Sequence, residues 1–255
     1  MQLGIISDIH EDIISLKKAF SILNKKQVDE IVCLGDIVGF SKTYYKYDDS
    51  RNAHECISMV KSNCNIVIKG NHDLFAIKKL SEFNAGINYP PNWFDLTYAE
   101  KLKFSKDKLW LYEDELPLKL NKNEIEYLNS LPEYIISEYD KTKYLFSHFL
   151  YPDISGAQKK FTQFSRKLKS HRKFMNNNNC NIGICGHAHI NGAIIRNKKN
   201  SVHGEFGKFK FDKNANTIII GPCIAEGENP NGLIIINTDT SEIEVIQISS
   251  EITKN

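Results

Sequence analysis

The chain has 255 residues, of which 41% are hydrophobic and 25% are charged, values typical of a globular protein with one large core or two unequal domains. These values exclude a low-complexity or disordered chain, and the net charge of +2 predicts no general affinity for polyanions. The six cysteines form no C-x-x-C pair, which favours a reducing compartment over a disulfide framework. No signal-peptide pattern and no apolar run of bilayer length is present, so we predict a soluble, cytoplasmic protein with no membrane partner.

The first 70 residues alternate between strand and helix patterns. Short β-branched, apolar runs predict buried strands over 2–7, 29–34 and 64–69. Between the first two strands, apolar residues recur at helical spacing: Ile13, Leu16, Phe20 and Leu23. A second helix is predicted over 51–62. This βαβαβ order predicts a parallel sheet with right-handed crossovers.

Residues 74–131 have the least regular pattern. Pro90-Pro91 interrupts the segment, and a short helix over 124–131 is expected to stop at Pro132. Its aromatic residues are expected to pack against one another: Tyr89, Trp93, Phe94 and Tyr98. Because the segment follows a strand that ends in polar residues, we predict a helical, lid-like insertion in a single domain that covers 1–255.

The second half predicts a further, largely antiparallel sheet. Strand-like runs cover 133–139, 143–146, 181–185, 190–196, 217–220, 233–237 and 242–248. A base-rich helix is predicted over 159–175, with bases on the faces that its apolar residues leave free. His54 and His171, both on predicted helices, are expected at the surface or its boundary.

Polar side chains follow five of the predicted strands. They are Asp8 and His10, Asp36, Asn71 and His72, His148, and His187 with His189. The D-x-H and H-x-H spacings turn alternate side chains of an extended segment to one side, so each pair can point into one cavity. Carboxylates and neutral imidazoles are ligands for manganese, iron or zinc, and a single ion would leave buried charges unpaired. The alternative for Gly70-Asn71-His72-Asp73 alone is a strand-to-helix turn whose side chains cap the next helix.

These blocks resemble those of the calcineurin-like metallophosphoesterase superfamily. All five occur in the family's order: Asp8-Ile9-His10, Gly35-Asp36, Gly70-Asn71-His72-Asp73, His148, and Gly186-His187-Ala188-His189. Residues 33–39 and 130–133 resemble the small, single-domain bacterial and archaeal phosphodiesterase branch. The resemblance extends to about residue 237. It implies an α/β fold, a four-layer α/β/β/α sandwich in which a mixed amino-terminal sheet packs on a largely antiparallel carboxy-terminal sheet.

The resemblance also implies a role for each site residue. One metal ion would be held by Asp8, His10, Asp36 and His189, and the other by Asp36, Asn71, His148 and His187. Asp36 would therefore bridge the two ions, and His72 would be catalytic, with Asp73 fixing its orientation. Two divalent ions are implied as cofactors, with manganese expected and iron, zinc, nickel or cobalt as alternatives.

The implied reaction is hydrolysis of a phosphate ester by a hydroxide that bridges the two metals, with His72 either protonating the leaving oxygen or stabilising the phosphoryl charge. A phosphodiester is favoured because the chain has few arginines and carries Lys69 directly before Gly70. A Ser/Thr protein phosphatase and a nucleotide or dinucleotide hydrolase remain alternatives, and a catalytically silent scaffold is the alternative of another class. The expected partner is a small phosphate ester or a nucleotide. Nucleic acid is less favoured, because the bases of 159–173 are expected to form a solvated helix face.

Three positions depart from the family pattern. Glu11 stands where relatives usually carry glycine, and Phe149 replaces the small residue that commonly follows the metal-binding histidine. Residues 221–223, Gly-Pro-Cys, stand where many relatives have an Asn-Pro-Gly-Ser turn. None of these changes removes a predicted ligand, but each bears on the shape of the substrate pocket.

Overall fold

The computed structural model describes residues 1–159, 164–197 and 201–248. The helices are α1 (Ile13–Lys25), α2 (Ala53–Asn63), α3 (Asn71–Ala76), α4 (Tyr98–Ser105), α5 (Lys122–Ser130) and α6 (Phe164–Asn177). The first six strands are β1 (Gln2–Ile6), β2 (Glu30–Cys33), β3 (Ile66–Val67), β4 (Tyr134–Tyr139), β5 (Thr142–Ser147) and β6 (Ile182–Cys185). The others are β7 (Ala193–Arg196), β8 (Ser201–Glu205), β9 (Gly207–Lys210), β10 (Thr217–Ile220), β11 (Gly232–Asn237) and β12 (Glu242–Gln247). None of the helices in these ranges is long and apolar enough to cross a membrane.

The first sheet contains the predicted βαβαβ unit. Its strand order is β3-β2-β1-β11-β12-β9, and β1, β2 and β3 pair in parallel. On the other side of β1, the strands β11, β12 and β9 are antiparallel to their neighbours. Strands from both ends of the chain thus share this sheet, and β1 and β2 end at the same edge.

The second sheet has mostly antiparallel pairings, as predicted, but it is mixed, because it also contains two parallel pairings. Its order is β4-β5-β6-β10-β7-β8, in which β5, β6 and β10 run parallel. The remaining pairs are antiparallel. Parallel pairing of β5 with β6 follows from α6, because a helix between two strands returns the chain to the starting edge.

Three apolar clusters separate four layers and confirm the α/β/β/α sandwich. Alternate residues of β1 divide between two of them: Leu3 and Ile5 pack against the second sheet, whereas Ile6 packs beneath α1 and α2. The cluster between the sheets includes Tyr144 and Phe146 of β5. On the outer face of the second sheet, α6 buries Leu168 and Met175.

Polar caps fix the starts of the helices that flank the first sheet. The side chain of Asp12 accepts a hydrogen bond from Ser15 N at 2.9 Å, and that of Asn52 accepts one from Glu55 N at 3.0 Å. These bonds satisfy amides that a helix cannot pair within itself. The apolar stripe predicted for α1 is buried as expected.

The 74–131 segment carries α4 and α5, each begun by a capping box. A small core of its own is formed by Trp93, Leu109 and Leu111, with Tyr89 and Phe94 packed against it. Tyr89, Trp93 and Phe94 therefore pack locally, as expected, whereas Tyr98 is 42% exposed and does not belong to this core. Whether the segment acts as a lid of a single domain stays a prediction.

The predicted base-rich helix is present over Phe164–Asn177 of the described residues, and residues 160–163 of the prediction lie outside them. His171 of this helix is fully buried, not at the surface, and accepts a hydrogen bond from Tyr151 N at 3.0 Å. Burial and the nearby charge of Arg172 lower the pKa of His171 to about 3.

Buried His171 predicts a loss of stability in acid. Between about pH 6.5 and pH 3 the unfolded chain binds a proton that the folded chain refuses, so the free energy of unfolding falls as the pH drops. From pH 7 to pH 5 the expected contribution is about 1–2 kcal/mol. In urea unfolding, His171→Gln should lack this part of the pH dependence, whereas the exposed control His54→Gln should retain it. Equal pH dependence in wild type and His171→Gln would contradict the prediction.

Candidate metal centre

The predicted ligands lie just after the ends of strands, where the backbone is no longer extended. Five of them have φ values in the left-handed region: Asp8 (56°), His10 (47°), Asp36 (53°), His187 (65°) and His189 (43°). Such values are uncommon for residues with a side chain, and they cluster at functional sites when the surroundings hold them. Here the two loops hold each other: Ile9 N donates to Asp36 O at 2.8 Å and Asp8 N donates to Gly35 O at 3.0 Å.

Gly70 lets the loop after β3 approach the loop after β2. A Cβ atom at this position would lie 2.2 Å from Asp36 Oδ1 and 2.8 Å from His148 Cε1. The backbone N of His72, two residues after Gly70, donates to Asp36 Oδ1 at 2.9 Å. A side chain at position 70 would therefore displace Asp36.

One group of potential ligand atoms belongs to Asp8, Asp36, His148 and His187, all of them buried. His148 Nε2 is 3.0 Å from Asp36 Oδ2 and 3.8 Å from Asp8 Oδ1. It is also 3.2 Å from His187 Nδ1. Asp8 Oδ2 accepts from the backbone N of His187 at 2.8 Å, which joins the loops that follow β1 and β6.

A second group lies beside the first and shares Asp8 with it. It contains Asp8, His10 and His189, whose Nε2 is 3.2 Å from Asp8 Oδ1 and 3.1 Å from His10 Nε2. A third group consists of His10, Asp36 and His72. Asp8 and Asp36 each belong to two groups, so the structure brings all the predicted ligands to one place without assigning them to separate ions.

Two imidazoles are oriented by backbone carbonyls behind them. His10 Nδ1 is 2.8 Å from Gly39 O, and His148 Nδ1 is 2.8 Å from Leu34 O. Since a carbonyl only accepts, each Nδ1 carries a proton and each Nε2 points towards the carboxylates. Metal-binding histidines are held in this way.

The burial of the carboxylates tests whether these groups fit a cation. Asp8 and Asp36 are 0% and 1% exposed, and buried carboxylates require compensating charge. The Asn71 amide lies in the same cluster, 3.1 Å from His148 Nε2. The donor set therefore fits divalent metal ions.

The buried carboxylates and imidazoles of the cluster shift one another's pKa values. Burial would raise the pKa of Asp8 and Asp36, but the neighbouring histidines outweigh it and hold both pKa values below the usual range. Burial would lower the pKa of His148, yet Asp36 and Asp8 raise it to about 9. The pKa of His10 is lowered to about 3, by burial and by His72 and His189. A metal ion bound here would compete with these protons, so its affinity should fall in acid.

Asp73 does not orient His72, and that part of the prediction is wrong. Its two carboxylate oxygens accept four backbone hydrogen bonds, from Asp36 N (2.8 Å), Ile37 N (2.9 Å), Val38 N (3.2 Å) and Gly70 N (3.0 Å). They are saturated by the two loops that carry Asp36 and Asn71. Asp73 thus positions the ligand loops, not the imidazole.

The carboxylate that contacts the His72 ring is Glu115, whose Oε1 pairs with His72 Nδ1. Gly39 makes room for this contact, because a Cβ at position 39 would lie 2.6 Å from His72 Nδ1. Burial would lower the pKa of His72, but Glu115 and then Asp36 outweigh it and raise the pKa to about 9. Sequence reasoning missed Glu115 because it lies 43 residues from His72 and belongs to no motif.

Backbone contacts bring Glu115 and its neighbours to the site. Ser41 and Glu115 form an isolated antiparallel bridge, and Leu116 N donates to Phe40 O at 2.8 Å. The Tyr112 ring lies 5.0 Å from the His72 ring, centroid to centroid. Part of the 74–131 insertion is therefore fixed to the loop that follows β2.

The three departures from the family pattern each have a place in this region. Glu11 accepts from Gly39 N at 3.1 Å and pairs with Arg51 at 3.2 Å, so it fixes the loop after Asp36. The Phe149 ring packs 4.6 Å from the His187 ring. Cys223 lies in the wall of the cavity described next.

A cavity of about 380 Å³ opens beside the ligand cluster. Its inner end is formed by Asp36, His72, His187 and His189. Three loops form its outer wall, and they contribute Tyr44 and Tyr45, Trp110 and Tyr112, and Glu228 and Asn229. A substrate in this cavity would contact the ligand cluster directly.

The family model for calcineurin-like phosphoesterases matches residues 1–191, a span that includes every predicted ligand. The chain belongs to the calcineurin-like phosphoesterase family. This confirms the resemblance found in the sequence. Members of the family are metal-dependent phosphoester hydrolases, and the cluster of aspartates and histidines agrees with metal binding.

Similar proteins cover nearly the whole chain. An uncharacterized protein of Methanocaldococcus jannaschii is 24% identical over 99% of this chain and 89% of its own length. A metallophosphoesterase structure from Sphaerobacter thermophilus has a TM-score of 0.65 and 20% identity, covering 97% of this chain and 87% of that one. A hypothetical protein from Pyrococcus horikoshii has a TM-score of 0.59 and 14% identity, covering 99% and 92%. At these identities the two structures show that this calcineurin-like phosphoesterase shares their fold.

Proposed function

We propose that the protein is a phosphodiesterase that depends on two divalent metal ions, manganese in the first instance. The observation that carries the proposal is the convergence of two aspartates, an asparagine and four histidines from the ends of five strands, with Asp8 and Asp36 each shared between groups. A closed structural site would need only four ligands.

The ligands are proposed to divide into two sets that meet at Asp36. Asp8, His10 and His189 would hold one ion, and Asn71, His148 and His187 the other. When bound, such a pair of ions lowers the pKa of water and neutralises charge on a transferring phosphoryl group. The role of the protein is to hold the ligands and the substrate in fixed positions relative to one another, as phosphoryl transfer requires.

His72 is the proposed general acid. Its side chain is 22% exposed and faces the cavity, whereas the ligand histidines His10 and His148 are almost wholly buried. Glu115 holds the proton on Nδ1, which leaves Nε2 to protonate the oxygen of the departing alcohol. Proton donation from Nε2 needs no covalent bond between the enzyme and the phosphoryl group.

Charge favours a diester over a monoester. Two divalent ions with Asp8 and Asp36 leave two positive charges, and the cavity adds the carboxylates of Asp114 and Glu228, whereas that of Glu115 is paired with His72. A singly charged phosphodiester is repelled less by these carboxylates than a doubly charged monoester. Lys69 does not compensate, because its ammonium points to Asn129 O, 3.4 Å away, and does not line the cavity.

The test is reconstitution of the metal-stripped protein with each candidate ion in turn. Each preparation is assayed with an aryl phosphodiester, an aryl monoester, a cyclic nucleotide and a dinucleotide. We expect hydrolysis that needs two equivalents of metal and is fastest on a diester, with manganese giving the highest rate. Undiminished hydrolysis after exhaustive chelation would refute metal dependence. Two bound ions without hydrolysis of any substrate would favour the silent scaffold.

The role of Glu115 gives a prediction of its own. Glu115→Gln removes the carboxylate that holds the Nδ1 proton and should lower kcat for an alkyl leaving group about 10- to 100-fold, part of the contribution of a general acid. The loss should shrink with 4-nitrophenolate, which departs without protonation. Glu113→Gln, two residues away and exposed, is the control. An equal loss with both leaving groups would assign Glu115 a purely structural role.

A further inference from the structure

We infer that the cavity selects phosphodiesters whose second organic group is positively charged or carries hydrogen-bond donors, and that it discriminates against groups with further negative charge. This inference rests on the proposed function, because it concerns the part of the substrate beyond the phosphate at the ligand cluster. The recognising groups would be aromatic rings and carboxylates of the outer wall.

The first observation is the aromatic wall. Tyr44, 46% exposed, lies edge to face with Tyr45 at 6.5 Å between ring centroids. Trp110 and Tyr112 line the cavity from the insertion, and Tyr112 is stacked on Phe75 at 4.4 Å, which fixes its ring. Electron-rich ring faces attract cations and stack on planar bases.

The second observation is the sign of the charges around these rings. Asp114 and Glu228 line the cavity, and among the described residues that line it there is no lysine or arginine. Lys42 pairs with Asp48, and Lys159, whose ammonium lies 5.8 Å from the Trp110 ring centroid, pairs with Asp107 at 2.9 Å. Lys46 and Lys108, near Tyr45 and Trp110 in sequence, do not line the cavity. Further phosphates or carboxylates on a substrate would therefore meet carboxylates without a described cationic partner.

The two observations together define the shared chemistry of the ligand. A quaternary ammonium group would pack on the rings and be neutralised by Glu228 or Asp114. An amino-bearing base would stack on the same rings and donate its N–H groups to the same carboxylates. A polyphosphate chain would satisfy neither condition, and the further phosphates of an oligonucleotide would meet the carboxylates of the wall.

The experiment varies the second group while the leaving group stays constant. Manganese-loaded protein is assayed with 4-nitrophenyl diesters that carry choline, adenosine, methyl or a carboxylate-bearing alkyl group. We expect kcat/KM for choline or adenosine to exceed that for the carboxylate-bearing diester about 10-fold or more, with methyl between them. A preference for choline alone identifies an ammonium group, and one for adenosine alone identifies a base.

A pair of variants assigns the effect to the cavity wall. Glu228→Gln should reduce the ratio of kcat/KM between the choline and methyl diesters about threefold. Glu226→Gln is the matched control, since Glu226 is exposed on the same loop but does not line the cavity. Equal or faster hydrolysis of the carboxylate-bearing diester overturns the inference, as does an unchanged ratio in Glu228→Gln.

A calorimetric titration separates this inference from the proposed function. Choline chloride, adenosine and sodium succinate are titrated into the manganese-loaded protein in the absence of any ester. Binding of choline or adenosine that Glu228→Gln weakens supports the inference even if no diester is cleaved. Hydrolysis of all diesters at one rate, with no binding of either probe, refutes the inference and leaves the proposed function standing.

Discussion

Asp36→Asn is expected to reduce the bound metal from two equivalents to fewer than one and to abolish diester hydrolysis. Asp36 is 1% exposed, and its oxygens lie within 4.0 Å of His10, His72 and His148. An asparagine at this position has one acceptor oxygen and no charge, so it cannot balance the cations on both sides. Elemental analysis of the dialysed protein measures the metal, and an aryl phosphodiester measures the activity.

The control for this prediction is Asp49→Asn, an exposed aspartate on the loop that follows β2. It should bind metal and hydrolyse substrate as the wild type does. Since Asp36 also accepts from His72 N, circular dichroism has to show that the Asp36→Asn chain is folded. Should that variant fail to fold, His148→Asn, which alters one set of ligands, is expected to lose about one equivalent. Retention of two tightly bound ions in a folded Asp36→Asn variant would contradict the shared role of Asp36.

His72→Ala is expected to keep its metal and lose most of its turnover. The His72 imidazole faces the cavity and is backed by Glu115, so its removal takes away the proton donor without removing a proposed ligand. General acids contribute about 10²- to 10⁴-fold, and a loss of kcat of this size is expected for substrates with alkyl leaving groups. Elemental analysis and steady-state kinetics with alkyl and aryl diesters provide the two measurements.

Two outcomes would contradict this role for His72. Unchanged turnover would remove His72 from the mechanism. Loss of one metal equivalent would make His72 a ligand, in agreement with its grouping with His10 and Asp36. His54→Ala, at an exposed histidine, should leave both metal content and turnover unchanged.

The sequence predicts the ligand cluster well because each ligand lies directly after a strand. A parallel strand delivers its last residues to a fixed edge of the sheet, so Asp8 and Asp36 are neighbours once β1 and β2 pair. Their motifs consist of residues that are close together in the sequence, so the motifs can be recognised in a single sequence. Glu115 has no such local motif, because backbone contacts with Ser41 and Phe40 and the space left by Gly39 bring it to His72.

The pairing of distant strands was harder to predict for a related reason. Strand patterns show which residues are buried but not which partner a strand takes, so β10 was expected in an antiparallel sheet and instead lies parallel to β6. Strands β8 and β9 went unpredicted because each lies at the edge of its sheet, and half-exposed sequences such as Ser201–Glu205 lack the apolar signal of a strand.

For Asp73 the motif predicts that the residue belongs to the site but does not predict which groups it contacts. The resemblance placed it beside a catalytic histidine and implied a contact between the two. In the structure the Asp73 carboxylate accepts hydrogen bonds from amides of the loop after β2 and the loop after β3. These bonds can form only because the two strands lie close together. Sequence spacing does not contain that distance.

The position of β11 has a consequence for the order in which the protein matures. This strand lies at the centre of the first sheet, between β1 and β12, and β10 is likewise central in the second. The amides of Ile224 and Ala225, synthesised after β10, bond to the carbonyls of Ser7 and Asp8. When all seven proposed ligands, up to His189, have been synthesised, the nascent chain still lacks the strands that complete both sheets. Productive metal capture should therefore follow translation of β11.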